Sequence, residues 1–334
     1  MDNRTPTEPD SAPAPGVHRT GVILMAMGGP ENPAEVGPFL ASLFNDRHII
    51  GIPQPLRWPF SRIMAAARKK EAARHYDRIG GGSPLKKWTS SQAEHLAARL
   101  NETGDSFRVT AGYSYSSPSI DEGLAKLIAD GCTDVIGLPL YPQDSLATFG
   151  SVRDDFERAG KKHRRLKRLS LVRPYYDHPL YIKASAQLLR ETLELSGERH
   201  KRRVLFTAHS LPQKLVNRGD PYRDQIEKTV SLILHEVPLD DYMISFQSRV
   251  GPVKWLEPST IAATRRAAAD GIETLVVMPI GFTCDHIETL YELDIELAEI
   301  AGNAGVKRFI RVACFNDQPL FIDLLSSLVQ EAEG

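Results

Sequence analysis

FRVTAGYSYSSPSIDEGLAKLIADGCTDVIGL, residues 107–138, decides how the rest of the chain is read. Phe107–Tyr113 is a short strand-like run, Ile120–Asp130 is amphipathic at helical spacing, and Asp134–Leu138 is apolar again. A strand, a helix and a second strand predict two parallel strands joined by a helical crossover. The same alternation continues outward. On the amino-terminal side stand the strand candidate Val22–Met27 and the helical stretch Ser91–Leu100. On the other side come Arg168–Val172, Val204–Ala208, Tyr242–Phe246, Thr274–Met278 and Phe309–Cys314 as strands, with Leu180–Ser196 and Pro258–Asp270 as helices. The basic run KKHRRLKR, 161–168, reads as a surface segment ahead of a changeover near residues 165–175. No sequence repeat is evident, but the repeated β/α order predicts two similar α/β halves. The division expected is 19–170 and 171–334, after a disordered, proline-bearing tail at 1–18.

The chain has 334 residues, enough for two domains or one large one. Hydrophobic residues make up 42% and charged residues 25%, which excludes a disordered chain, a collagen-like fibre and a membrane bundle. Lys plus Arg is 41 against 42 Asp plus Glu, so no overall basic footprint for nucleic acid exists and no nucleic-acid partner is expected. The longest apolar runs, Val22–Met27 and Leu275–Phe282, are far short of the roughly 20 residues of a membrane span. No secretory signal is recognisable, and a cytoplasmic location is expected. Cys132, Cys284 and Cys314 form no CxxC pair and are too few for the four thiolates of a usual iron–sulfur cluster.

In open α/β sheets ligands bind beyond the carboxyl ends of the strands. Four segments occupy such places: Gly28-Gly29-Pro30, Tyr113–Pro118, His209 and Asp285–Glu288. His209 reads equally as a base or ligand offered to a cleft and as a structural histidine. Glu288, Glu292 and Glu296 recur every fourth residue and so stack along one helix face, with Asp285 on about the same side. Such a run is more commonly a solvated acidic face; the alternative is a carboxylate path for a cation or for protons. His286 is expected to orient Asp285 or to cap the helix. HEXXH, GxSxG and GxxxxGK[ST] are all missing, which weighs against zinc proteases, serine hydrolases and P-loop nucleotide sites. Gly80-Gly81-Gly82-Ser83-Pro84 follows a helical pattern and reads as a turn into a helix from Trp88 onward. Residues 53–70, PQPLRWPFSRIMAAARKK, mix Leu56, Trp58, Phe60, Ile63 and Met64 with arginines and lysines. They fit either an apolar lip with a basic rim, able to cover a flat ligand or touch a membrane surface, or a partly buried helix with snorkelling cations.

Seven segments in order resemble the ferrochelatase family. They are Met27-Gly-Gly-Pro-Glu31, Arg78-Ile-Gly-Gly-Gly-Ser-Pro84, Tyr141-Pro-Gln143, His209-Ser-Leu-Pro212, Arg218-Gly-Asp-Pro-Tyr222, Phe246-Gln-Ser-Arg-Val-Gly-Pro252 with Trp255, and Asp285-His-Ile-Glu-Thr-Leu-Tyr291. The resemblance runs from about Gly21 to Val329. It implies two Rossmann-like halves, each a parallel four-stranded sheet flanked by helices, with a porphyrin cleft between them. It implies insertion of Fe²⁺, as substrate, into a porphyrin, with His209 and Glu288 as the catalytic and metal-facing pair. Asp285, Glu292 and Glu296 match the family's acidic line, and Met27, Tyr76, Ser83, Tyr115, Ser145 and Trp255 match pocket positions. Arg68 and Lys69 stand where they could meet substrate propionates. Met27, where coproporphyrin-using members tend to carry Tyr, favours protoporphyrin IX.

A free-base porphyrin carries two N–H protons that metal insertion must release. His209 with Glu288 is expected to take them, with Fe²⁺ arriving on the opposite face of the ring or through the acidic line. Three departures bear on substrate preference: Ser114 where the family usually has Arg, and Asp144 and Phe149 after Tyr141-Pro-Gln143. Leu146 stands in the region of one cluster cysteine of some relatives, and no iron–sulfur cluster is expected. Two other readings stay open: a porphyrin or haem carrier without turnover, and a chelatase for another metal or tetrapyrrole such as coproporphyrin III.

Overall fold

The computed structural model describes residues 19–102, 104, 106–196, 201–249, 251 and 253–334; the tail expected over 1–18 lies outside them. Eight strands form two separate parallel sheets. The first joins β1 (Thr20–Ala26), β2 (Phe107–Tyr113), β3 (Asp134–Pro139) and β4 (Arg168–Leu171) in the order β2-β1-β3-β4. The second joins β5 (Arg202–His209), β6 (Tyr242–Gln247), β7 (Thr274–Pro279) and β8 (Arg308–Arg311) in the order β6-β5-β7-β8. Twelve α-helical segments connect the strands among the described residues. In the first half these are α1 (Val36–Phe44), α2 (Gln54–Arg78), α3 (Leu85–Leu100), α4 (Ile120–Ala129) and α5 (Ser151–Gly160). Then come α6 (Pro179–Leu195), α7 (Gln213–Val216), α8 (Tyr222–Glu236), α9 (Thr260–Ala269), α10 (Ile287–Leu290), α11 (Ala298–Asn303) and α12 (Pro319–Glu333). A π-helical turn stands in each half, at Leu146–Gly150 and at Glu292–Leu297.

The central strands are apolar throughout because both faces are covered. In β1, Val22 and Leu24 point into the core between the sheets, while Ile23 and Met25 meet α4 and α5 outside. In β5, Val204 and Phe206 point inward and Leu205 points outward. The inner core is continuous from sheet to sheet through α3, α6, α8 and α12. Two helices are exchanged across the divide. α6 follows β4 yet packs on α8 and β7, and α12 follows β8 yet packs on α3, β3 and β4.

β8 stops at Arg311, three residues short of the expected Cys314. It is an edge strand whose only partner, β7, ends at Pro279, a residue with no N–H to extend a ladder. The lip is one continuous helix from Gln54 to Arg78. Pro55 sits in its first turn, where an N–H has no partner anyway, and Pro59 removes a single bond. Leu56, Phe60 and Ile63 share one face of it and stay exposed, whereas Ser61, Ala65 and Tyr76 are buried. α3 begins at Leu85, ahead of the expected Trp88.

Candidate active site

His209 is the last residue of β5, and Glu288 lies in α10 beyond the carboxyl end of β7. Parallel pairing of β5 with β7 sets these two chain ends side by side. His209 Nε2 faces Glu288 Oε1 at 3.6 Å. The His209 ring is anchored from its other nitrogen, with Nδ1 2.6 Å from the Ser210 carbonyl. A carbonyl oxygen only accepts, so Nδ1 is the donor there, and Nε2 is the nitrogen that faces Glu288 and the cleft. With 38% of its side chain exposed, the ring is open to a ligand. The second Glu288 oxygen is 3.5 Å from His286 Nε2. His286 is buried, and its Nδ1 is held by the Cys284 carbonyl at 3.1 Å. It therefore flanks Glu288, and of its two expected roles it takes the capping one: it is the N-cap residue of α10, with its backbone N–H donating to the Thr289 hydroxyl at 3.0 Å. Burial pushes the Glu288 carboxyl up, but the two imidazoles together outweigh it and hold the group below its ordinary value.

The acidic line is not one regular α-helix. α10 ends at Leu290, and the π turn over Glu292–Leu297 follows. A wider turn still returns every fourth or fifth residue to the same side, so Glu288, Glu292 and Glu296 remain in sequence along it. Glu292 accepts from Gln247 Nε2 at 3.1 Å and from the Ser248 hydroxyl. Gln247 Nε2 also reaches the Glu288 carbonyl, at 2.9 Å. Ser248 has φ +63°, a left-handed conformation uncommon outside glycine. Burial, then the Glu288 charge, raises Glu292 to about 7. Glu296 is exposed at the far end. Asp285 leaves the line, contrary to expectation. Its carboxylate is taken by Arg311 at 3.0 Å, Asn316 Nδ2 at 2.9 Å and the Thr289 hydroxyl at 3.1 Å.

The first half supplies the opposite wall. Met27 follows β1, and the turn behind it is tight: Gly28 has φ +85°, and a Cβ there would lie 1.9 Å from Ser116 Oγ. Tyr76, at the end of α2, is buried; burial and then the Glu288 charge raise its phenol well above the ordinary value. Ser83 is buried against the Gly29 backbone. Tyr115 is also buried and donates to Asp46 at 2.7 Å. Ser145 is fully buried and spends its hydroxyl on Asp220 at 3.2 Å, so it braces the wall from behind. Trp255 bridges to Pro212, three residues after His209, and its buried indole N–H has no hydrogen-bond partner among the described residues. Arg68 lies on the lip helix and pairs with Glu71 at 3.7 Å.

The ferrochelatase family model matches residues 19–333. The chain belongs to the ferrochelatase family. Two curated ferrochelatases show how far the likeness extends. That of Geotalea daltonii is 41% identical over 317 residues, covering 95% of this chain and 98% of its own. That of Aquifex aeolicus is 41% identical over 316 residues, covering 93% and 99%. The fold recurs in the sirohydrochlorin chelatase SirB from Bacillus subtilis subspecies spizizenii, with TM-score 0.55, 13% identity, and coverage of 94% and 96%. Like other ferrochelatases, this chain is an enzyme that inserts a metal into a porphyrin.

Sequence reasoning passed over several residues that the ferrochelatase fold gathers here. Tyr222 lies beside the His209 backbone, and Tyr141 lies beside the Met27 backbone. Both phenols are raised by burial first and by the Glu288 charge as well. His75 stacks on Tyr291 at 4.0 Å, and Arg78 lies over the same ring and pairs with Glu299 at 2.8 Å. Tyr222 and Tyr141 stood inside quoted motifs, which was the available signal; His75 had none. Among the described residues no three His, Cys, Asp or Glu side chains are grouped to enclose a metal ion, so His209 and Glu288 offer a pair of donors and not a closed cage.

Proposed function

We propose that the enzyme inserts Fe²⁺ into protoporphyrin IX, giving protohaem and two protons, the last step of haem b formation. The observation that carries the reading is the Glu288 carboxylate set between two imidazoles, with the open one, His209, 3.6 Å away. A neutral His209 Nε2 takes a pyrrole N–H proton and becomes a cation beside an ionised carboxylate, which stabilises it. Glu292, raised to about 7, then exchanges protons near neutrality and hands them toward exposed Glu296. Fe²⁺ is substrate throughout. It reaches the nitrogens as the protons leave, from the opposite face of the ring or along the same carboxylates. Met27 in the pocket favours protoporphyrin over coproporphyrin III. The walls are apolar and phenolic, with Tyr76, Tyr141 and Tyr222 all kept protonated.

The test is anaerobic mixing of the protein with Fe²⁺ and either porphyrin, following loss of free-base fluorescence beside a His209→Ala control. Turnover that vanishes in the control supports the reading, and the faster porphyrin identifies the substrate. Binding of both porphyrins without turnover would favour a carrier.

A specific feature supports contact with a membrane surface. The exposed stripe Leu56, Phe60 and Ile63 continues along the same face of α2 to exposed Lys70, with Arg57 at its edge. Among the described residues no helix is long and apolar enough to cross a membrane. A cytoplasmic enzyme resting on the inner face of a membrane by this lip fits both facts. Flotation with anionic liposomes tests it: wild type should float and the Leu56→Ser, Ile63→Ser double variant should not.

A further inference from the structure

We infer that Arg311 is a positioning residue for the carboxylates of the site. The inference rests on the roles given above to His209, Glu288 and Glu292. Arg311 ends β8 with 11% of its side chain exposed. Its Nη1 lies 3.0 Å from Asp285 Oδ1, and its Nε and Nη2 lie 2.6 and 2.9 Å from the two oxygens of Asp294. Asp285 and Asp294 bracket Glu288 and Glu292 in the chain. One guanidinium thus fixes both ends of the stretch that carries the working groups. Between these anchors the backbone passes from α10 into the π turn. π turns are rare and need support from their surroundings. The planar guanidinium grips Asp294 with two parallel N–H groups while a third N–H reaches Asp285, a fork geometry that a point-like ammonium does not reproduce.

The other half of the molecule shows that the fold does not require this brace. β3 and β7 each start a segment of the same length, from Asp134 to Arg168 and from Thr274 to Arg308. Counted in step, Leu171 stands where Arg311 does, Asp154 where Asp294 does, and Ser145 where Asp285 does. In that half Asp154 turns away to Arg47 and His48, and Ser145 turns to Asp220. The tie to the fourth strand belongs to the half that holds Glu288 and Glu292. Loosening it shifts Glu288 relative to His209, and Glu292 relative to Ser248, while the porphyrin wall built on the first half stays in place.

Arg311→Lys and Asp294→Asn test this, measured beside wild type and His209→Ala. The readouts are kcat and KM for Fe²⁺ at saturating porphyrin, and porphyrin Kd without metal from fluorescence. In Arg311→Lys, kcat/KM for Fe²⁺ should fall about 10- to 100-fold, the usual cost of losing support behind a metal-facing group. Asp294→Asn should fall in the same direction by less, and porphyrin Kd should stay at the wild-type value in both. Asp294 is a third exposed, and its loss leaves Arg311 paired with Asp285. That variant therefore decides the matter alone if Arg311→Lys fails to fold. Wild-type kcat/KM for Fe²⁺, or a loss matched by an equal loss of porphyrin affinity, overturns the inference. Full turnover in His209→Ala would instead overturn the roles given to the site.

Discussion

The two halves pair their strands in the same register, yet their matched strand ends carry different side chains. In each sheet the second strand in space leads the pairing, and Thr20 opposite Asp134 corresponds to Arg202 opposite Thr274. Tyr113 bridges to Ser119 as Phe246 bridges to Ser259, and both serines cap the helix that follows. Counted in step from these pairs, Met27 occupies the place of His209, Thr148 that of Glu288, and Val152 that of Glu292. The same backbone carries His209, Glu288 and Glu292 in one half and Met27, Thr148 and the buried Val152 in the other. Strand ends only deliver a side chain to the cleft; its identity decides whether the half reacts or encloses. The tyrosines respect this division, with Tyr222 beside the His209 backbone and Tyr141 beside the Met27 backbone.

The largest test of that asymmetry exchanges nothing but the side chain at the matched strand ends. His209→Ala should lower kcat by about 10²- to 10⁴-fold, the range of a lost general base. Met27→Ala should change porphyrin Kd more than kcat, because it removes wall and no proton acceptor. Equal losses of kcat at the two positions would end the distinction. Stability gives the next test. Folded Glu292 keeps its proton to about pH 7, whereas an ordinary carboxyl releases it at 4.5. The folded state therefore binds more protons in that window, and stability falls as pH rises through it, by about 3 kcal/mol at about 1.4 kcal/mol per pH unit. Glu292→Gln should match wild type below pH 4.5 and exceed it above pH 7 in urea unfolding. An unchanged pH slope would show that burial of this charge costs nothing. The smallest test compares the matched caps. Ser119→Ala and Ser259→Ala should each cost about 1 kcal/mol, because each removes one hydroxyl that accepts from the first turn, and the Glu122 bond to the backbone N–H of residue 119 survives the change.

The strands and the two-half architecture were legible because buried parallel strands are written as apolar runs and helices as periodic ones. His209 was legible for a similar reason, as a polar residue ending an apolar run. The role of Asp285 was not. It is set by Arg311 and Asn316, which are distant in sequence and come near only when β8 pairs with β7. The π turn was equally hidden, since a spacing of four fits α and π turns alike. Prolines 53, 55 and 59 masked the helical lip, because their effect depends on which turn they enter. The exchange of α6 and α12 leaves no local mark at all: an amphipathic helix does not name the sheet it will cover.

That exchange bears on how the protein is made. The first sheet is closed from within by α12, the last helix of the chain, and Thr20 at its first strand donates to Glu333 at 3.1 Å. All four strands of the first half leave the ribosome well before that helix exists. Until α12 emerges, Val22, Leu24, Ile136 and Leu138 lack part of their cover. The amino-terminal half cannot finish folding as an independent unit during synthesis. Both halves reach their final packing together once α12 has emerged, and before that the nascent chain carries an apolar face that a chaperone could hold.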